Sequence, residues 1–163
     1  MQTKKLTFSA LLVAIGTMAG NIIYIPVGAA KCFPVQHTIN VISGVLLGPW
    51  YAVANAFLIS LLRNVLGTGS LLAFPGSMVG AFLAGFLYLK SGKKAWAVLG
   101  EVFGTGILGG LLAFPIAKII LGKDVAAFYF VIPFLISTIG GSIIGYSALK
   151  LMERNKILTK LNA

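Results

Sequence analysis

Apolar residues run in long blocks along the whole chain, and no polar stretch between them is long enough to fold by itself. The blocks are Leu6–Ile25, Val35–Leu47, Trp50–Leu66, Leu71–Leu89, Trp96–Phe114 and Ala126–Met152. A bilayer's hydrocarbon core is about 30 Å thick and takes roughly 20 apolar residues of helix. Only 10% of the 163 residues are charged, against roughly 25% in a soluble domain. So little polar sequence cannot cover a soluble core. The expected fold is an all-α membrane protein: one transmembrane domain over residues 1–163, built as a compact bundle of six transmembrane helices.

The first block follows Lys4 and Lys5 and has the look of a secretory signal. No small-residue cleavage site leads into a polar mature domain, so it is read as the first span. The second and third blocks flank Gly48-Pro49. Together they are too long for one ordinary span and short for two. Proline in a helix interior removes a hydrogen bond, so a turn is expected there. Six spans bring both termini to one side, and the basic residues then divide unevenly. Lys4, Lys5, Lys90, Lys93, Lys94, Lys150, Arg154, Lys156 and Lys160 fall on the terminal side; Lys31, Arg63, Lys118 and Lys123 fall on the other. Cytoplasmic loops are enriched in Lys and Arg, so both termini are expected in the cytoplasm. The net charge of +10 is thus a topology signal. No basic face with interleaved aromatics exists outside the spans, which excludes nucleic-acid binding. Trp50, Tyr51 and Trp96 open spans at the expected cytoplasmic interface, as an aromatic belt does.

Twenty glycines need a physical reason in so apolar a chain. Lipid tails are as apolar as leucine, so helices in a bilayer associate by close backbone packing at small residues. Small residues recur four apart at Ala10/Ala14, Gly16/Gly20, Ala52/Ala56, Gly76/Gly80, Gly100/Gly104, Gly106/Gly110 and Gly141/Gly145. Spacing alone leaves open which pairs face the bundle and which face another protein. One internal echo stands out: Leu71–Pro75 repeats as Leu111–Pro115, each copy preceded by Gly-Thr-Gly. Both prolines are expected at similar depth in the outer half, as a shared wall of an outward-facing pocket.

Polar residues inside the blocks are few. The acids are Glu101, Asp124 and Glu153, of which only Glu101 lies within a span. An intramembrane carboxyl is expensive and is a functional candidate by default. It falls near the cytoplasmic end of its span, so a structural hydrogen bond, with Asn55 as partner, is the competing reading. Glu153 is read as a solvated charge and Asp124 as a loop partner of Lys123. His37 and Asn40 lie three apart near the outer end of the second span and can face one way. Arg63 and Asn64 end the third span, where the arginine either serves a site or snorkels to the headgroups. Asn64, Thr68 and Ser77 cluster around the first Gly-Thr-Gly…Pro-Gly turn. A small-ligand site needs a few polar groups among aromatics. The expected substrate-binding set is therefore His37, Asn40, Arg63, Asn64, Thr68 and Ser77, with Phe33, Phe74 and Phe114 as apolar walls and Glu101 as a weaker candidate.

One cysteine, Cys32, rules out an internal disulfide. One histidine, one cysteine and one buried acid supply no metal site by the usual spacings, and no cofactor is implied. Neither His-Glu-x-x-His nor a phosphate-cradling Gly-x-x-x-x-Gly-Lys-Ser/Thr loop occurs. The chain is read as no enzyme, without an ATPase motif of its own.

The stretch Gly28-Ala29-Ala30-Lys31-Cys32-Phe33-Pro34-Val35-Gln36-His37, then Leu47-Gly48-Pro49-Trp50-Tyr51-Ala52-Val53, then Ser60-Leu61-Leu62-Arg63-Asn64 through Phe74-Pro75-Gly76-Ser77, resembles the ThiW family. The similarity runs over nearly the whole chain and is densest from Gly28 to Gly85. These proteins are substrate-binding (S) components of energy-coupling factor vitamin transporters, assigned to the thiazole precursor of thiamine. The resemblance implies capture of hydroxyethylthiazole from outside a prokaryotic cell. It also implies docking to a membrane coupling subunit of the EcfT type that carries two ATPase subunits, and a toppling motion that releases substrate inside. Similar S components dock through Ala-x-x-x-Ala on the first helix, which Ala10 and Ala14 match.

Overall fold

In the computed structural model, residues 2–27 and 30–155 are described. Gly28 and Ala29 of the family-like stretch, and Lys156 and Lys160 of the charge tally, lie outside them. Six helices form: α1 (Gln2–Ile22), α2 (Pro34–Leu47), α3 (Pro49–Val65), α4 (Ala73–Ser91), α5 (Lys94–Ile120) and α6 (Val131–Arg154). Two three-residue strands, β1 (Ile25–Val27) and β2 (Ala30–Cys32), pair antiparallel with Ile25 opposite Cys32. The first span, expected to run through Ile25, ends as a helix at Ile22, and Ile25 opens the β1–β2 pair.

The turns follow local chemistry. Gly48 sits at φ 92°, a conformation that costs glycine nothing, and Pro49 opens α3, where its missing N–H is no loss. Gly92 closes α4 at φ 67° with its N–H on the Tyr88 carbonyl at 2.8 Å. The fifth span was expected to stop at Phe114. It runs on through Pro115 to Ile120, because the backbone widens into π-helical turns at Val102–Gly109 and Ile116–Ile120. Residues 121–130, the last five assigned to the sixth span, form a connection instead.

Three helices, α4, α5 and α6, are long and apolar enough to cross a membrane. At 14 and 17 residues, α2 and α3 fall short of the roughly 20 that a full span takes. α2 is central: it packs against α1, α3, α4 and α6, and nearly all of its side chains are buried. Large apolar side chains point outward on every other helix, among them Leu11, Leu61, Phe86, Leu111 and Ile143. Gln36, Asn40, Asn55, Arg63 and Glu101 point inward. A soluble protein does not bury its polar residues beneath an apolar surface; a membrane protein does.

The glycine pairs face inward. A Cβ at Gly104 would lie 2.6 Å from Gly80 Cα, and Gly76 and Gly109 also meet backbone to backbone, so α4 and α5 touch along a side-chain-free seam. A Cβ at Gly16 or Gly20 would strike Ile59 or Arg63, and one at Gly141 or Gly145 would strike α2. Ala10 and Ala14 differ: both are exposed on α1, beside Leu6, Leu11, Ile15 and Met18. Glu153 is exposed, as expected of a solvated charge, and also forms an ion pair with Lys94 that ties the end of α6 to the start of α5. Asp124 makes no ion pair within the described residues, so the expected Lys123–Asp124 bridge is not formed.

A candidate substrate cavity at one end of the bundle

One end of the bundle gathers the β1–β2 hairpin, the start of α2, the end of α3, the start of α4, and the connections before α4 and α6. The opposite end holds the Gly48 and Gly92 turns, the beginning of α1 and the end of α6. At the first end a cavity of about 510 Å³ opens.

Arg63 anchors it. The sequence allowed a side chain that snorkels outward; the structure turns it inward and leaves it 2% exposed. Three local features hold it. Gly67, at φ 71°, turns the chain back so that the N–H groups of Thr68 and Gly69 both reach the Arg63 carbonyl at 2.9 Å. The same turn presents the Thr68 carbonyl to Arg63 Nη2 at 3.1 Å. Phe33 lays its ring 3.8 Å from the guanidinium carbon, and Gly20 on α1 leaves the space behind it. Arg63 Nη1 donates to Gln36 Oε1 at 2.7 Å, Gln36 Nε2 donates to Ser60 Oγ at 2.8 Å, and Ser60 meets Ser77 at 3.2 Å.

Beneath the cavity lies Glu101, fully buried. Three donors converge on its Oε1: His37 Nδ1 at 2.9 Å, Asn40 Nδ2 at 3.0 Å and Thr105 Oγ1 at 2.8 Å. Asn40 donates its second amide N–H to the Ser77 carbonyl at 3.2 Å, while the single hydroxyl hydrogen of Thr105 is shared between Oε1 and the Gly76 carbonyl at 3.0 Å. Asn55, expected as the partner of Glu101, instead receives a hydrogen bond from Ser9 and donates to Ser43 at 3.0 Å. Glu101 stands seven residues into a helix that begins at Lys94, and its side chain reaches α2 at the floor of the cavity. Its place near the cytoplasmic end of the fifth span does not separate it from the outer residues, because α2 is short and His37 and Asn40 lie within reach.

Of the expected set, His37, Arg63, Thr68, Ser77 and Phe33 line the cavity. Asn40 and Glu101 sit behind His37 and Thr105. Asn64 folds back onto the Ser60 carbonyl at 2.7 Å, Phe74 packs edge-on against Phe57, and Phe114 lies within 5.8 Å of Lys118; none of these three forms the lining. Of the repeated pentapeptide, Leu72 and Ala73 line the cavity, while Ala113 packs behind Leu72 in a small apolar cluster with Phe130. The second copy backs the wall that the first one forms.

Several lining residues escaped the sequence reading: Gln36, Thr105, Tyr129, Phe130, Phe134 and Ser137. Thr105 is four residues from Glu101, and Phe130, Phe134 and Ser137 repeat at helical spacing, so a signal existed for both. Cys32 also lines the cavity; its thiol donates to the Pro133 carbonyl at 3.1 Å, and burial pushes its pKa up. No cluster of three or more His, Cys, Asp or Glu side chains able to hold a metal occurs among the described residues.

Chemically the cavity presents groups suited to binding. Its thiol is raised in pKa rather than activated, and its histidine has Nδ1 engaged with an acid that lies beneath the floor. With Nδ1 so held, Nε2 is the ring nitrogen left for a ligand. Comparison with curated proteins and with solved structures finds no match. The family model described as thiamine-precursor transporter protein (ThiW) matches residues 6–155, which takes in α1 from Leu6 onward, the other five helices and every residue lining the cavity. A small aromatic-walled cavity in an apolar-surfaced helical bundle is what such a transporter requires, and the chain belongs to the ThiW family of thiamine-precursor transporters.

Proposed function

We propose that this chain is the substrate-capturing S component of an energy-coupling factor importer for the thiazole precursor of thiamine, hydroxyethylthiazole. In this reading it spans the plasma membrane six times as a single domain, with both termini in the cytoplasm and the cavity open to the outside. The observation that carries the proposal is the cavity itself. A flat heteroaromatic alcohol offers one apolar ring, one ring nitrogen and one hydroxyl. Phe33, Tyr129, Phe130 and Phe134 supply ring surface, and His37, Ser77, Thr105 and Ser137 supply hydrogen-bonding groups. Ser137 Oγ is buried without a partner in the described residues, which leaves it available to a ligand.

Orientation follows from charge. The end opposite the cavity carries most of the lysines and arginines, and that end belongs in the cytoplasm. The energy for uptake comes from partners: a membrane coupling subunit of the EcfT type and two ATPase subunits. The exposed Ala10 and Ala14 give α1 a smooth strip on which a coupling helix can approach closely. Titration of the purified protein with hydroxyethylthiazole, thiamine and the pyrimidine precursor tests the substrate. Tight binding of the thiazole and weak binding of the pyrimidine is expected, and the reverse order refutes the assignment. Copurification with a coupling subunit and ATPases tests the partnership.

A further inference from the structure

We infer that the cavity prefers a thiazole whose side chain ends in an oxyanion, a phosphate ester or a carboxylate, and that Arg63 receives that group with Lys123 at the rim. The inference rests on the thiazole-importer reading for the ring, but the argument for the anion is independent of it.

Arg63 is a buried cation without a counterion. The ion pairs among the described residues are His37–Glu101 and Lys94–Glu153, and neither involves it. All of its contacts are neutral: the Gln36 amide, the Thr68 carbonyl and the Phe33 ring. A buried charge is ordinarily paired, because desolvation is not repaid by neutral neighbours. Two of its five N–H groups are spent on those contacts, and Nε, backed by Gly20, has no acceptor. Each terminal nitrogen therefore keeps one further N–H, and Arg63 lines the cavity; a guanidinium is the group that pairs best with a carboxylate or phosphate. The fork is also fixed in place before a ligand arrives. Phe33 covers one side, Gly20 leaves no slack behind it, and Gln36 is itself held by Ser60.

The rest of the lining has the same sign. Lys123 reaches the cavity from the connection after α5, where its backbone N–H is held by the Ala117 carbonyl at 2.9 Å. No carboxylate lines the cavity among the described residues. Asp124, between the lining residues Lys123 and Val125, is not itself part of the lining, and Glu101 lies under the floor with three donors on one oxygen, one of them the histidine. A thiazolium cation such as thiamine finds no counterion here and faces two positive side chains, whereas an oxyanion finds both.

The test is titration of the full chain in detergent with hydroxyethylthiazole, its phosphate monoester, a thiazole carboxylate, thiamine and, as a probe without the thiazole, a phosphorylated pyrimidine precursor. At least one thiazole anion is expected to bind about ten- to a hundredfold tighter than the alcohol, the worth of a charged hydrogen-bonded pair. Thiamine is expected to bind weakest. Which anion wins assigns the oxyanion to a phosphate or to a carboxylate. Arg63→Gln should cut the anion-to-alcohol ratio to the severalfold preference that Lys123 alone supplies. Lys123→Gln, in an exposed connection, should lower the ratio severalfold without harming the fold, and it carries the test if Arg63→Gln misfolds. An alcohol that binds as well as or better than both anions overturns the inference and leaves the importer reading intact. An Arg63- or Lys123-dependent preference for the phosphorylated pyrimidine alone upholds the anion site and overturns the thiazole reading. Binding of none of the probes overturns both.

Discussion

Truncating Glu101 tests whether the cavity floor is held from beneath. Its Oε1 accepts from His37, Asn40 and Thr105, and two of those donors have a second acceptor: Asn40 keeps the Ser77 carbonyl and Thr105 keeps the Gly76 carbonyl. In Glu101→Ala only the His37 Nδ1 contact has no replacement. One buried group left unpaired costs about 1–3 kcal/mol, and removing one member of a buried pair costs about 3–5 kcal/mol in all. A chain of this length shifts by about 2–4 °C per kcal/mol, so the melting temperature should fall by about 6–20 °C. Glu101→Gln keeps one oxygen facing the same three donors and loses only the charge assistance, about 1–2 kcal/mol. Thermal unfolding of the monodisperse protein in detergent reads the stability, and ligand titration of the same samples reads the site. The alanine variant should lose both stability and affinity, because His37 is released. The glutamine variant should lose a little stability and almost no affinity. A glutamine variant that melts normally but no longer binds would mean that Glu101 touches the ligand, and the floor assignment would fall.

Three further outcomes are expected. Gly80→Ala places a methyl on Thr105 Oγ1 and 2.7 Å from Glu101 Oε2, whereas Gly140→Ala meets no heavy atom within 4 Å; overpacking costs about 1–3 kcal/mol, so only the first should lower the melting temperature, and equal effects would contradict the seam between α4 and α5. Ala10→Trp, on the exposed face of α1, should abolish copurification with a coupling subunit while substrate affinity survives; loss of affinity with docking intact would assign that strip to internal packing. In a Cys32→Ala background, an impermeant thiol reagent applied to intact cells should label a cysteine placed at Lys123 and spare one at Ser91, and the opposite pattern would invert the topology.

The helices were legible because their signals are local. Gly48-Pro49 predicts a turn from two residues, and the structure turns there with Pro49 as the first residue of α3. The ends that were missed depend on tertiary choices. Pro115 looks like a terminator, yet α5 passes it with π-helical turns, because the preceding wide turns at Val102–Gly109 already depart from the regular hydrogen-bond ladder that proline interrupts. Residues 126–130 are apolar enough for a span but serve as a connection whose Tyr129 and Phe130 face the cavity. Around the site, residue types were readable and partners were not. Glu101 was evident as an intramembrane acid. Its pairing with His37 depends on how far α2 penetrates the bundle, which no spacing within one helix encodes. Arg63 was ambiguous for the same reason: whether an arginine at a helix end turns in or out depends on Phe33 and Gly20, which belong to other elements.

The buried polar groups also explain how short helices are retained in an apolar-surfaced bundle. Ser9 of α1, Asn55 of α3 and Ser43 of α2 form one chain of hydrogen bonds. Gln36 of α2, Ser60 of α3 and Ser77 of α4 form a second, which Asn40 extends to Glu101 of α5. Thr138 of α6 lies 3.4 Å from the Glu101 carbonyl and joins the last helix to the same layer. Each helix is thus held to a neighbour by at least one polar contact where lipid offers no alternative partner. Each such bond contributes about 0.6 kcal/mol on average, so their number matters more than any one of them. The seam of glycines makes the second layer possible. Only because α4 and α5 meet at Gly80 and Gly104 without side chains between them can Glu101 reach past α4 to His37 and Asn40 on α2. Backbone packing and the cavity floor are therefore one construction, and a methyl group in the seam should be felt in the binding of a ligand it never touches.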